Sequence, residues 1–268
     1  MFLTRLKSVL ILIPLMIVMI YIGGIPFQAF VLLILCFAAW EYWHMLRAMQ
    51  IEVPLFLIMG GVALIALQRI FWGFEHSDIL LVLLFFIIIV YFLVAFERGR
   101  YKHIVNFAVS FSGILYIGWV GSYLISIRAL PDGRWWLLTA LPITWLVDLG
   151  AYSIGKPFGK HKMLPRLSPK KSWEGFAGGI LFGVVSGGLL SLLWRPFMAD
   201  IPAWQGMLLG LIMAVITPVG DLFISMFKRV ASLKDTSNVI PGHGGVLDRI
   251  DTWIWAALIG YYYALLFA

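Results

Sequence analysis

Long apolar stretches separated by short polar segments run along the whole chain. Most are close to the roughly 20 residues that a helix needs to cross the hydrocarbon core of a bilayer. The first is the shortest, because its uninterrupted apolar part runs only from Val9 to Ile22. The pattern predicts about nine membrane-spanning helices, within a range of about eight to ten, over residues 6–22, 25–43, 53–72, 79–96, 104–127, 135–154, 174–194, 203–227 and 250–267.

The composition supports the same class of fold. Of the 268 residues, 62% are hydrophobic and 12% are charged, which is far more apolar than an ordinary soluble domain. We therefore expect an all-α fold, a polytopic bundle of membrane helices that forms a single integral-membrane domain over residues 1–268, with no room for a large soluble domain. Cys36 is the only cysteine, so a disulfide framework and a thiolate metal site are both excluded.

The basic residues predict how the bundle is oriented. With the amino terminus in the cytosol, sixteen of the 20 Lys and Arg residues fall in inner segments, and the outer side receives only Arg69, Arg128, Arg134 and Arg195. This asymmetry follows the positive-inside rule, so we expect a cytosolic amino terminus and an external carboxy terminus. The net charge of +7 is then concentrated on the cytosolic surface, where anionic headgroups or nucleotide phosphates are attracted.

A stripe of polar side chains lies near the end of the eighth predicted helix. Asp221, Ser225 and Lys228 are spaced i, i+4 and i+7, and so share one helical face. A carboxylate in an apolar segment is costly and is kept mainly where it holds an ion, pairs with another charge or faces a cavity. Snorkelling at the helix end is the alternative role for Lys228.

A glycine-rich turn, P-G-H-G-G-V-L-D-R-I-D, precedes the last predicted helix, which we expect to begin near Val246. Its glycines allow backbone amides to approach phosphate oxygens. Asp248 and Asp251 fall at i and i+3 and place two carboxylates on one helical face, which suits Mg²⁺ shared with substrate phosphates. Helix capping is the alternative for either aspartate alone. His243 is a candidate for metal ligation, proton transfer or hydrogen bonding to phosphate.

A strongly basic loop joins the sixth and seventh predicted helices. Residues 155–175 hold six Lys or Arg and no acid before Glu174, which suits phosphate or lipid headgroups, although the positive-inside rule alone also explains a basic cytosolic loop. Ser172 is positioned to cap the next helix, with Glu174 favoured in its first turn by the helix dipole. Asp148, a lone carboxylate in the apolar stretch before the loop, is a further functional candidate.

Two of these segments carry a resemblance to a known family. Residues 225–251 contain S-x-x-K-R, K-D, P-x-H-G-G and D-R-x-D in this order, and resemble the signature of the phosphatidate cytidylyltransferases, also called CDP-diacylglycerol synthases. Asp148 and the segment from Ser168 to Gly175 are similar to the family's second shared region. The amino-terminal part matches only in hydropathy and in the Ala39-Trp40-Glu41 motif after the second span.

The resemblance implies an enzyme of phospholipid biosynthesis that joins CTP and phosphatidate to give CDP-diacylglycerol and pyrophosphate, with Mg²⁺ and, as an open alternative, a second, monovalent cation such as K⁺. A phosphate monoester is already an anionic nucleophile, so the reaction needs no strong general base. The in-line approach of two polyanions instead requires positioning and neutralisation of charge. We also expect a multi-pass protein of the bacterial inner membrane with its site facing the cytosol, a homodimer, and no nucleic-acid partner.

Individual residues carry over from the acidic and basic positions of the family. The resemblance assigns the metal to Asp248 and Asp251 as leading ligands, with Asp221 either a third ligand or a partner that orients them. Ser225 and Lys228 complete the catalytic set. It assigns the substrate phosphates to Lys170, Lys171, Arg229, Lys234, His243, Gly244, Gly245 and Arg249. Supporting roles go to Asp148, Glu174 and Asp235. Residues 131–268 then form the catalytic part, and residues 1–130 serve packing, lipid access and dimerisation.

Other functions also place charged residues in a membrane. An ion-coupled or lipid transporter uses intramembrane carboxylates with basic partners; we would expect broken helices in both halves, whereas the charged, glycine-rich loops here lie in the second half. A CDP-alcohol phosphatidyltransferase would need D-G-x-x-A-R, and the only Asp-Gly pair, Asp132-Gly133, continues with Arg134-Trp135. A purely structural membrane scaffold would explain the membrane spans but not the polar, glycine-rich segment between the eighth and ninth predicted helices.

Overall fold

The computed structural model describes residues 2–100, 104–197 and 201–267, without the side chains of residues 2–7 and 9. The α-helices of this part are α1 Phe2–Ile22, α2 Gly24–Ala48, α3 Leu55–Trp72, α4 Ser77–Glu97, α5 Val105–Gly113, α6 Tyr123–Ala129, α7 Gly133–Phe158, α8 Trp173–Trp194, α9 Ala203–Val230, α10 Leu247–Ile250 and α11 Trp253–Phe267. A π-helical segment, Ile114–Val120, joins α5 to α6, and the short strands β1 Lys162–Leu164 and β2 Ser168–Ser172 form an antiparallel hairpin.

The long helices confirm the predicted class of fold. Within the described residues, 8 helical segments are long and apolar enough to cross a membrane, and α1 adds a shorter apolar helix at Leu10–Ile22. The protein is therefore an all-α, polytopic membrane protein, with a number of spans inside the predicted range. The side on which each terminus lies stays a prediction. Lys102, which the prediction places on the inner side, lies outside the described residues.

The span Val105–Ala129 is interrupted, which the hydropathy pattern does not reveal. Its middle part is the π-helical segment, and such insertions commonly mark sites of special packing. A Cβ added to Gly118 would lie 3.1 Å from the Cα of Val62 on α3. The interrupted span therefore approaches the backbone of α3 closely at this glycine.

The described residues form two compact units. The first comprises Met1–Ser126 with Val230–Arg249, and the second comprises Ile127–Arg229 with Ile250–Ala268. The first unit therefore contains the amino-terminal helices and the polar turn, which we define as residues 230–249. The second unit contains α7, the hairpin, α8, nearly all of α9, and α11.

Each unit has its own core of buried side chains. In the first unit, Tyr42, Ile65 and Ile117 are fully or almost fully buried, and the Tyr42 hydroxyl donates a hydrogen bond to the Val109 carbonyl at 3.0 Å. In the second unit, the rings of Trp136 and Tyr263 meet edge to face at 6.2 Å between centroids. In lipid, helices are held together largely by van der Waals packing, and large buried side chains such as these supply much of it within each unit.

Glycines allow α8 and α9 to pack at backbone distance in the second unit. Gly179, Gly183 and Gly187 recur at four-residue spacing, which is typical of close helix contacts in membranes. A Cβ on Gly183 would lie 2.8 Å from the Gly210 carbonyl oxygen, and a Cβ on Gly187 would overlap the carbonyl oxygen of Gly206. The glycine stripe is therefore a packing surface.

Candidate active site

The hairpin gives the basic loop a defined shape. In its register Lys162 lies opposite Ser172. The Ser172 hydroxyl accepts a hydrogen bond from the Gly175 amide at 3.2 Å, which confirms the predicted cap of α8. The carboxylate of Glu174 accepts the backbone amide of His161 at 3.2 Å and lies 2.6 Å from its ring Nδ1. Glu174 therefore ties the loop to the start of α8.

An ion pair joins the basic loop to α9 inside the second unit. The Lys171 Nζ lies 2.6 Å from Asp221 Oδ2, and the two side chains are 31% and 34% exposed. The Ser225 hydroxyl donates to the other carboxylate oxygen, Oδ1, at 3.3 Å. The predicted polar face of α9 thus exists at Asp221 and Ser225, and the structure adds Lys171 to it. Because the pair is accessible, a phosphate or an ion can reach it.

A cavity of about 450 Å³ in the second unit is lined by Lys171. Three further lysines line it, Lys156, Lys162 and Lys170, together with the carboxylate-bearing Asp148. Much of the remaining wall is apolar and comes from Val147, Met163, Phe176, Pro218 and Leu222. A cavity with several ammonium groups and an apolar wall suits a ligand that has a phosphate attached to a hydrocarbon part.

The other predicted basic residues differ in their exposure. Lys228 is only 8% exposed. The Arg229 Nε donates to the Leu167 carbonyl at 3.2 Å, so this side chain holds the turn of the hairpin. Lys234 and Arg249, both in the first unit, are exposed. Of the predicted phosphate-binding cations, Lys170 and Lys171 are therefore the two that line one cavity.

The polar turn of the first unit is organised around Asp248. Its Oδ2 atom accepts hydrogen bonds from the Thr236 amide at 2.8 Å, the Thr236 hydroxyl at 3.0 Å and the Gly245 amide at 3.0 Å. The Gly245 amide, which the sequence assigns to phosphate, is thus engaged by a carboxylate. Gly244 has a φ of +83°, and a Cβ there would lie 3.1 Å from the Cβ of Asp235. Asp235 therefore packs against the turn.

The helix predicted near Val246 is interrupted after one turn, so Asp248 and Asp251 do not share one continuous helix. α10 begins at Leu247 and ends at Ile250, and α11 begins at Trp253. Asp251 lies in the break, is 3% exposed, and accepts the Thr252 amide at 2.7 Å on Oδ1. A short acidic side chain that bonds to a neighbouring amide competes with helix continuation, which accounts for the break.

His243 lies within the polar turn and is partly buried. Its backbone amide donates to the Ile240 carbonyl at 2.9 Å, and the Ile240 amide in turn donates to the Gly244 carbonyl at 2.9 Å. These bonds fix the backbone on which the imidazole is carried.

Glu41 binds the polar turn, and the sequence reasoning did not assign it a role. Glu41 is fully buried on α2, and it accepts hydrogen bonds from residues of the polar turn that lie 195 to 206 positions away in the chain. Only its membership of the Ala39-Trp40-Glu41 motif was a signal. Neither hydropathy nor helical spacing predicts a contact between residues so far apart in the sequence.

The residues can be tested for their fit to Mg²⁺. Within the described parts of the chain, no three or more His, Cys, Asp or Glu are grouped so as to hold a metal ion. Mg²⁺ commonly uses only one or two carboxylates and takes its other ligands from substrate phosphates and water. Asp221 fits such a site, because its carboxylate is one-third exposed and already attracts a cation.

Fold and site together define a polytopic membrane protein with a lysine-lined cavity suited to phosphate. Residues 3–267 match the cytidylyltransferase family. The chain therefore belongs to the cytidylyltransferase family, which confirms the prediction of a CTP-using membrane nucleotidyltransferase.

Several relatives in bacteria carry the name phosphatidate cytidylyltransferase. The protein of Staphylococcus haemolyticus is 30% identical to this chain over 94% of each chain. The protein of Synechocystis is 30% identical over 98% of this chain and 96% of its own. The protein of Bacillus subtilis is 38% identical over 58% of this chain, a match that spans 56% of that protein's length.

Proposed function

We propose that this protein is a phosphatidate cytidylyltransferase of the bacterial inner membrane. It joins CTP and phosphatidate to give CDP-diacylglycerol and pyrophosphate. Support comes from the relatives that carry this name and align along nearly the whole chain. The structural observation that carries the proposal is the Lys171–Asp221 pair at a cavity with four lysines, because it combines phosphate-binding cations with a carboxylate suited to a metal.

The proposed reaction is a single displacement at phosphorus. An oxygen of the phosphatidate phosphate forms a bond to the α-phosphorus of CTP, and the bond from that phosphorus to the bridging β-oxygen breaks. Its electrons leave on pyrophosphate, so no proton acceptor is required. The protein contributes by aligning the two phosphates and by stabilising the charge that develops on the leaving group.

The lysine-lined cavity supports a site for the phosphatidate headgroup. The amines of Lys170 and Lys171 attract its phosphate as compact charges. The apolar wall formed in part by Phe176 and Leu222 suits the first carbons of the acyl chains. Lipid can then enter from the bilayer without exposing its chains to water. We assign the triphosphate of CTP to the polar turn of the first unit, with charges from Lys234 and Arg249 and hydrogen bonds from His243 and Gly244. Lys228 and Arg229, in the second unit, stay phosphate-binding residues predicted from the sequence.

In the second unit, Mg²⁺ would be held by Asp221, with Asp251 as a further candidate ligand. Asp248, in the first unit, stays a ligand predicted from the sequence alone. The backbone of Asp251 lies close to Gly220, the residue before Asp221, since a Cβ on Gly220 would overlap the Asp251 carbonyl oxygen. When bound, the ion neutralises phosphate charge and orients the oxygens around it. Lys171 holds the Asp221 carboxylate in place, and Ser225 hydrogen-bonds to its other oxygen. A second, monovalent ion such as K⁺ remains an open part of the proposal.

The orientation of the protein belongs to the same proposal. Sixteen of the 20 Lys and Arg residues lie in segments assigned to the cytosol, where CTP is made available. A cytosolic site explains how a soluble nucleotide and a membrane lipid reach one enzyme. The homodimer also stays a prediction.

A double-label assay tests the proposed reaction. Purified protein receives phosphatidate and CTP labelled on either the α- or the γ-phosphate, with and without Mg²⁺. We expect the α-label in a lipid-soluble product and the γ-label in aqueous pyrophosphate, both only with Mg²⁺. Diacylglycerol in place of phosphatidate is the matched control, because it lacks the attacking phosphate. Absence of lipid-soluble label under every metal condition would refute the proposal and favour the transporter alternative.

A further inference from the structure

Glu41 is a charged side chain held entirely inside the first unit. It lies on α2 and is 0% exposed. Its two carboxylate oxygens accept four hydrogen bonds from the polar turn, namely from the hydroxyls of Thr236 at 2.9 Å and Ser237 at 2.6 Å and from the backbone amides of Val246 at 2.8 Å and Leu247 at 2.7 Å. The Glu41 carboxylate therefore contacts both ends of this segment, in addition to the bonds that Asp248 accepts from Thr236 and Gly245.

The chemistry of these contacts requires a carboxylate. The backbone amides of Val246 and Leu247 can only donate, and one approaches each Glu41 oxygen; an ionised carboxyl group is the side chain that offers two oxygens with no hydrogen of its own. Burial of a charge is tolerated only when hydrogen bonds satisfy it. In Gln, the amide nitrogen would face either the Leu247 amide or the Ser237 and Val246 donors. At least one buried donor would then lose its acceptor.

The glycine at position 245 is explained by the same carboxylate. A Cβ there would overlap the Thr236 hydroxyl and lie 2.5 Å from a Glu41 oxygen. The turn is therefore closed tightly around Glu41. This close approach is a structural requirement for Gly245 that is separate from any contact with phosphate.

The bonds to Glu41 continue directly to Asp248. The Thr236 hydroxyl lies between the two carboxylates, at 2.9 Å from Glu41 and 3.0 Å from Asp248, and its single proton is shared between them. The Thr236 amide and the Gly245 amide donate to the same Asp248 oxygen. Because the segment that presents these donors is fixed by Glu41, the position of the Asp248 carboxylate depends on it.

We propose that Glu41 is a positioning residue for nucleotidyl transfer, which fixes the polar turn so that Asp248 is presented in one orientation. It acts through Thr236 and the amides of Val246 and Leu247 and does not contact substrate. The inference rests on the proposed role of the polar turn in binding metal and triphosphate. It gives a function to α2, an amino-terminal helix that carries none of the predicted site residues.

The test compares Glu41→Gln with Glu52→Gln, an exposed site after α2 that undergoes the same change of charge. We expect Glu41→Gln to lower kcat by about ten- to a hundredfold and to raise the Mg²⁺ concentration for half-maximal activity, as for residues that orient a metal ligand. The KM for phosphatidate should change by less than about twofold, because Glu41 is not proposed to contribute to the binding of this substrate. Glu52→Gln should behave as the wild type.

Hydrogen exchange provides a readout that does not depend on catalysis. In Glu41→Gln, the amides of Val246 and Leu247 should exchange faster, whereas the amides of α8 should not. If Glu41→Gln does not fold, Thr236→Val removes the shared hydroxyl with little change of shape and should lower kcat by about fivefold.

The outcomes separate this inference from the proposed function. A folded Glu41→Gln protein with wild-type exchange in the turn, or with wild-type kcat and Mg²⁺ dependence, would overturn the role of Glu41. An inactive wild-type protein would instead overturn the proposed function. Because exchange is measured without substrate, it would still decide whether Glu41 fixes the turn.

Discussion

Replacing Asp221 with Asn is expected to lower CDP-diacylglycerol formation by about a thousandfold, the range seen when a group that stabilises transition-state charge is lost. Asn has the same shape but no charge, so it removes the carboxylate proposed to hold Mg²⁺. It also places an amide where Asp221 meets the Lys171 ammonium at 2.6 Å. The initial rate with phosphatidate and labelled CTP, measured over a range of Mg²⁺ concentrations, gives the result.

A control variant distinguishes loss of catalysis from unfolding of the Asp221→Asn protein. Asp78→Asn, at an exposed position at the start of α4, is the matched control and should keep wild-type activity. Both variants should reach the membrane in equal amounts and melt within a few degrees of the wild type, because a partly exposed ion pair contributes about 1 kcal/mol or less to stability. An Asp221→Asn protein that retains more than a tenth of wild-type activity would exclude an essential role for this carboxylate.

Replacing Lys171 with Gln is expected to reduce kcat/KM for phosphatidate by about a hundredfold, since a charge-assisted contact to phosphate is lost. Lys171 has two tasks in the proposed site, because its ammonium lines the cavity and pairs with Asp221. Gln keeps much of the length of the side chain and removes the charge. Steady-state kinetics with phosphatidate in mixed micelles, at saturating CTP, measures the effect.

Because Lys171 and Asp221 are paired, the same prediction extends to the double variant. The double variant Lys171→Gln with Asp221→Asn should be less impaired than the product of the two single effects, because residues in contact are coupled. Arg98→Gln, which removes an exposed cation after α4, serves as the control for net charge. A Lys171→Gln enzyme whose kcat/KM falls no further than that of Arg98→Gln would rule out the phosphate-binding role.

The membrane helices could be predicted closely from hydropathy alone. The predicted spans 79–96 and 174–194 correspond to Ser77–Glu97 and Trp173–Trp194. The reason is physical, because every backbone polar group in lipid must be satisfied within the segment and a helix of fixed length does this. The π-helical segment and the break at Asp251 are decided by close packing and local hydrogen bonds, which a hydropathy window averages out.

Two local contacts near the predicted site residues could be predicted from the sequence, whereas the contacts over long separations could not. Spacing on one helix correctly placed Ser225 beside Asp221, and the rules of capping correctly placed Ser172 at the start of α8. The hairpin that carries Lys171 was not predicted, since β2 contains Pro169 and four charged or polar residues that do not alternate with apolar residues. The contacts of Glu41 lie beyond any local pattern.

The most direct test of a single in-line transfer is the stereochemistry at the α-phosphorus. One diastereomer of CTP carrying sulfur on the α-phosphate is incubated with phosphatidate, and the configuration of the sulfur-containing CDP-diacylglycerol is determined. We predict inversion, because the lipid phosphate attacks opposite the departing pyrophosphate. Retention of configuration would contradict the account, since it requires two displacements and a covalent nucleotidyl intermediate on the protein.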